Sequence, residues 1–208
     1  MIVPENVYHE YHELLEDIQN IVCSIKIDMK NASQRQLWGR TIAACDCLDD
    51  AYDSIMEFDS IVNTSYYARR PILYYYGILQ TFSIQVNALN QISEFFLGEA
   101  CCNDYKKLHK KIENQKENKE NVVSLRNDIV HSCERKGIES CFIAKQVGMP
   151  KDVLWYGRYD RDGKFSELNI NLGEYCLNQM QNVCQQLKKF LSIPKERIYF
   201  YTFYAANK

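Results

Sequence analysis

Arg126 and His131 are the side chains of this sequence whose types and spacing could cleave a phosphodiester. A guanidinium is permanently cationic and presents a planar fork of donors that matches phosphate oxygens. An imidazole ordinarily titrates close enough to neutral pH to move protons there. On RNA, His131 would take the proton of a ribose 2′-hydroxyl or protonate the leaving 5′-oxygen. Arg126 would offset the charge that builds on the phosphoryl oxygens. This chemistry needs no metal and no cofactor, and none is expected. Cys45/Cys47 and Cys101/Cys102 are the close cysteine pairs, and no second pair stands at a finger-like distance from either.

Helix geometry limits what one copy of the chain can do. Arg126 and His131 are five positions apart, which turns their side chains roughly 140° from each other on a helix, whereas Asn127 and His131, four apart, share a face. A two-fold dimer that brings two such helices together would put both Arg and both His in one cleft, with acid and base supplied by equivalent residues. A homodimer is therefore part of the expectation.

The elements that would hold these residues are mostly helical. Apolar positions Val7, Tyr11, Leu14, Leu15, Ile18, Ile21, Val22 and Ile25 recur at three and four, predicting an amphipathic helix over about 5–30. Ser33 precedes a second, over about 34–59, whose inner face carries Leu37, Thr41, Ala44, Cys47, Leu48, Ala51, Ile55 and Phe58; its small residues predict close packing. A third pattern runs from Tyr66 to Leu97, with Pro71 near its start and Gly98 at its end. Leu79, Phe82, Val86, Leu89, Ile92 and Phe96 gather on one side of it. Gln80, Asn87, Gln91 and Glu94 line the other, and Gln85 falls among the apolar residues, where an amide needs hydrogen-bond partners.

A polar stretch over 103–121, with Lys110 in a lysine cluster around His109, leads to a helical pattern that carries Arg126 to His131 and stops at Gly137. The period then changes. Alternating runs at 140–147, 153–159 and 165–170, with turns at Gly148-Met149-Pro150 and Asp162-Gly163, predict a small antiparallel meander. Asn171 and Glu174 resemble a capping box that opens a last long helix before Pro194. The aromatic segment Ile198 to Tyr204 must pack on the body or on a second subunit. The expectation is a mainly α single domain spanning 1–208: a helical bundle over 5–136, the meander inserted over 138–170, and C-terminal helices over 171–205.

A chain of 208 residues, 46% hydrophobic, can bury a substantial core. Its net charge of −2 offers no global attraction to a polyanion, so RNA would have to be held locally. Asn87, Gln91 and Lys110 are the candidates for that contact. Nine cysteines, an odd number at irregular spacing, point to a reducing cytoplasm in which most act as small buried hydrophobes. No apolar stretch approaches the length of a membrane span.

Arg126-Asn127 followed by His131 in a late helix of a bundle resembles the R-x(4–6)-H signature of HEPN domains, the higher eukaryote and prokaryote nucleotide-binding group. Tyr76-Gly77-Ile78-Leu79-Gln80, followed by Gln85-Val86-Asn87-Ala88-Leu89, resembles a helix of some HEPN-like bacterial proteins. The resemblance covers about residues 66–135. It implies an antiparallel helical bundle that dimerises into an endoribonuclease, of the kind found among toxins and antiviral defence proteins, with an antitoxin or other defence-system partner. Arg126 and His131 match the catalytic positions, and Asn127 the polar neighbour. Toxins of this group that are silenced by AMP transfer carry a Tyr two residues after the His; here that position is Cys133. The other reading is a non-catalytic dimer of the same type that binds a nucleotide, an RNA or a protein.

Overall fold

The computed structural model describes residues 2–62, 64, 71–98, 138–144, 152–160 and 162–205. Three long helices come first: α1 (Glu5–Cys23), α2 (Ala32–Ile61) and α3 (Pro71–Leu97). The first ends earlier than its apolar period suggests. The Ser24 hydroxyl donates to the Ile21 carbonyl at 2.8 Å, and the Ser24 N–H closes the last turn on Asn20. Ile25 extends the period yet lies in the following loop, buried there as an anchor. A helix end leaves carbonyls unpaired, and the indole N–H of Trp38 satisfies that of Val22 at 3.1 Å. The cap of α2 is Asn31, whose side chain accepts from the Gln34 N–H at 3.1 Å, so Ser33 sits inside the first turn rather than before it.

Side-chain pairs fix the helix directions. Tyr11 meets Leu48, and Trp38 meets Val22, so α1 and α2 run antiparallel. Arg40 near the start of α2 pairs with Glu94 near the end of α3, while Phe58 and Tyr74 line one depression at the other end, so α2 and α3 also run antiparallel. Ala44 and Ala51 are buried in α2, as close packing requires. Gln85 is fully buried, and its amide N–H donates to the Tyr11 hydroxyl at 3.3 Å; that hydroxyl in turn donates to the Leu48 carbonyl at 2.9 Å. One phenol oxygen thus ties the three helices together.

The sheet follows the expected meander, in the order β1 (Ile138–Ala144), β2 (Val153–Asp160) and β3 (Phe165–Asn171), antiparallel throughout. Val153 pairs with Asn171 and Tyr159 with Phe165; an irregularity between Ile138 and Ser140 shifts the β1 register. Gly163, at φ 72°, makes the turn that Asp162-Gly163 predicts. Leu154, Tyr156 and Ile170 are buried, whereas Tyr159 and Phe165 stand on the outer side. Asn171 accepts from the Glu174 N–H at 3.0 Å and opens α4 (Leu172–Leu191), as its sequence predicts.

α4 closes the core. Ile2 meets Gly173 at one end, Glu10 pairs with Lys188 further along, and Phe96 stacks on Phe190 with ring centroids 5.5 Å apart. Hence α4 runs in the same direction as α1 and α3, and the alternation of α1 to α3 does not extend to it. After a short 3₁₀ turn (Lys195–Arg197), α5 (Tyr199–Ala205) folds back on the body. Ile198 and Phe200 are buried, with Phe200 stacked on Phe95 at 4.9 Å. Such ring pairs add about 0.5–1.5 kcal/mol beyond their burial. The protein is therefore mainly helical with a small three-stranded antiparallel sheet ahead of its last helices. Among the described residues, no helix is long and apolar enough to cross a membrane.

Candidate functional site

Arg126, Asn127, His131 and Lys110 lie outside the described residues, as do the helix expected over 122–136 and the turn at 148–150. Of the sequence candidates, Asn87 and Gln91 are described. They stand four apart on α3 and so share a face, Asn87 exposed and Gln91 half-buried. Glu94, next along this stripe, is held by the Arg40 guanidinium at 3.1 Å, with half of the Arg40 side chain exposed. A carboxylate so paired presents less repulsion to a phosphate than a lone one would. Arg40 was not legible as a candidate because only the antiparallel register of α2 and α3 brings position 40 beside position 94. The tyrosines of α3 divide: Tyr75 is buried in the core, while Tyr74 and Tyr76 are half-buried against it.

A second constellation, which sequence reasoning missed, lies between α1 and α2. Here a cleft of about 990 Å³ is lined by Glu5, Tyr8, His9, His12, Tyr52, Met56 and Asp59, among others. Asp59 is 9% exposed and accepts from the backbone N–H groups of Ile2 (2.6 Å) and Val3 (3.1 Å) and from the Tyr8 hydroxyl (3.2 Å). Tyr52 is the hub of a ring cluster: Tyr8 meets it edge-on at 5.7 Å, Tyr11 lies at 5.4 Å and the His12 imidazole at 5.9 Å. Burial first, and Asp59 second, push the Tyr8 phenol well above its ordinary range. Burial with Asp53 and Asp49 raises Tyr52 in the same sense. The spacing of Tyr8, His9 and His12 gathers them on one side of α1, but their meeting with Tyr52 and Asp59 depends on how α1 and α2 pack, which no local signal carries.

Each histidine contacts a glutamate one turn further along α1. His9 contacts Glu13 at 3.3 Å and His12 contacts Glu16 at 3.8 Å, and among the described residues no three His, Cys, Asp or Glu side chains group as a metal would require. The cysteines are similarly unreactive in the core. Cys45, Cys176 and Cys184 are buried, and burial pushes the thiols of Cys45 and Cys184 up to about 12, so they stay protonated and behave as small hydrophobes. Cys23 is exposed, and Cys47, expected on the inner face of α2, is only half-buried, with Cys45 taking the buried position instead. Compared with protein-family models, with curated proteins and with solved structures, the chain matches none.

Proposed function

We propose that the protein is a metal-independent endoribonuclease of the HEPN type, acting as a homodimer in a toxin or antiviral defence role. The observation that carries the reading is the Arg126-Asn127 and His131 spacing in the sequence, which follows three described helices of alternating direction. In this proposal the two copies of His131 serve as acid and base, both Arg126 side chains stabilise the phosphoryl oxygens, and Asn127 orients the scissile group. Asn87, Gln91 and Lys110 contact the RNA backbone or bases. Cys133 replaces the Tyr that AMP transfer would need, so restraint comes from a bound partner protein instead.

The test incubates wild-type protein, Arg126→Ala and His131→Ala with labelled RNA in EDTA, beside a DNA of the same sequence. The wild type is expected to cut RNA and spare DNA, because deoxyribose lacks the nucleophilic hydroxyl. His131→Ala is expected to lose about 10²–10⁴ in rate. RNA left intact by the wild type, or cut equally by His131→Ala, refutes the proposal. A second reading, a non-catalytic dimer that binds RNA, nucleotide or protein, draws on the net charge of −2, which is unhelpful to an enzyme acting on a polyanion. Saturable RNA binding without cleavage would favour it.

A further inference from the structure

The α1/α2 cleft has the size and lining of a small-ligand site, and its chemistry selects the sign of the ligand. Its described lining holds two carboxylates, Glu5 and Asp59, and no Lys or Arg. The walls are the rings of Tyr8, Tyr52 and His12, with the Met56 thioether among the exposed apolar groups. The amino end of α1 carries the positive pole of the helix dipole, but part of its pull on an anion is already taken up. The N–H groups of Val7 and Tyr8 are already given to the Pro4 carbonyl, and Glu5 already meets the helix dipole. For a cation the same lining offers aromatic residues, whose ring quadrupole attracts positive charge, together with the Glu5 and Asp59 carboxylates.

We propose that this cleft binds a small organic ammonium, its charge taken up by the Tyr52 ring and the Glu5 carboxylate and its apolar part packed against Met56 and Tyr8. Asp59 contributes through its charge, since its oxygens serve the Ile2 and Val3 N–H groups and the Tyr8 hydroxyl. Burial raises the Tyr52 phenol first, and Asp53 and Asp49, which lie outside the cleft's described lining, raise it further, so Tyr52 stays a neutral ring. Among the titratable groups of the described lining, Glu5, Asp59, Tyr8 and Tyr52 favour a cation, while His9 contacts Glu13 and His12 contacts Glu16. The site is separate from Arg126 and His131 in sequence, and the inference does not depend on ribonuclease activity.

The experiment titrates the full-length protein with choline and, in parallel, with 3,3-dimethylbutan-1-ol, which has the same shape without the charge. Ring resonances of His9, His12 and Tyr52 report binding by NMR. Choline is expected to saturate and to shift those resonances, and the alcohol to bind at least about threefold more weakly. Tyr52→Leu should weaken choline by about three- to thirtyfold. Because Tyr52 also packs on Tyr8 and Tyr11, Glu5→Lys provides the arm that leaves the core untouched, and it should weaken choline while sparing the alcohol. The inference is overturned by equal binding of the two compounds, by choline affinity unchanged in Glu5→Lys, by shifts confined to residues away from the cleft, or by no saturation at tens of millimolar choline.

Discussion

Replacing Tyr11 by Phe deletes one oxygen at the centre of the bundle, and its cost follows from what that oxygen does. The hydroxyl donates to the Leu48 carbonyl at 2.9 Å and accepts from the Gln85 amide at 3.3 Å, joining α1 to both α2 and α3. Gln85 is fully buried, and its Oε1 has no hydrogen-bond partner among the described residues. Once the phenol oxygen is gone, the amide nitrogen loses its partner as well. A lost buried hydrogen bond costs about 0.5–1.5 kcal/mol, and a stranded buried donor about 1–3 kcal/mol more. Tyr11→Phe should therefore destabilise by about 2–4 kcal/mol. Gln85→Leu should behave differently: it removes the unpartnered Oε1 and leaves the Tyr11–Leu48 bond intact, so its effect should lie within about 1 kcal/mol of zero. In the double variant no amide remains to be stranded, and it should be more stable than Tyr11→Phe. Urea denaturation of the four proteins measures the cycle. A double variant as unstable as the sum of the singles, or a Tyr11→Phe cost below about 0.5 kcal/mol, would show that this oxygen does not organise the core.

The remaining predictions concern pH and a helix end. Cys45 and Cys184 are held up to about 12 against an ordinary 9.0, and Tyr8 and Tyr11 are raised above 10.0, so the folded chain keeps protons that the unfolded chain gives up. That stability is fully present below about pH 9 and is lost as pH rises toward 12, by up to about 1.4 kcal/mol per pH unit for each thiol. Denaturation midpoints should thus be flat below pH 8.5 and fall above 9, with tyrosinate absorbance from Tyr8 and Tyr11 appearing only as the protein unfolds; its appearance in folded protein near pH 10 contradicts this. At Gly98, φ is 78° and an added Cβ would lie 2.8 Å from the Tyr199 ring. Gly98→Ala should cost more than Gly163→Ala, where φ is similar but nothing lies within 4 Å. The shared strain is about 1–2 kcal/mol, and the excess in thermal melts isolates the contact with α5.

What could be read from the sequence was what periodicity and local chemistry carry. The inner faces of α2 and α3, apart from the half-buried Cys47 and Val86, the caps at Gly98 and Asn171 and the turn at Gly163 follow from residue types within a few positions of one another. The end of α1 did not, because Ile25 is apolar for the sake of a loop anchor and so counterfeits another turn of helix. The cap at Asn31 lost to Ser33 in the sequence because both are good caps, and only the bond to Gln34 separates them. Long-range facts were beyond reach. Nothing near position 59 announces that its carboxylate holds residues 2 and 3, and nothing near position 40 announces Glu94. For the same reason the cleft between α1 and α2 escaped notice, whereas Asn87 and Gln91, four apart on one helix, could be paired by counting.

The direction of α4 bears on how the protein comes to be made. α1 and α4 pack side by side although α2, α3 and the sheet all lie between them in the chain. Synthesis proceeds from the amino end, so a growing chain can pair α1, α2 and α3 while the surface reserved for α4 still faces water. Phe96, which stacks on Phe190, and Glu10, which pairs with Lys188, meet those partners only once α4 has left the ribosome. A chain ending before Leu172 lacks α4 and with it the partners of Phe96 and Glu10, so the bundle closes only when its last long helix arrives.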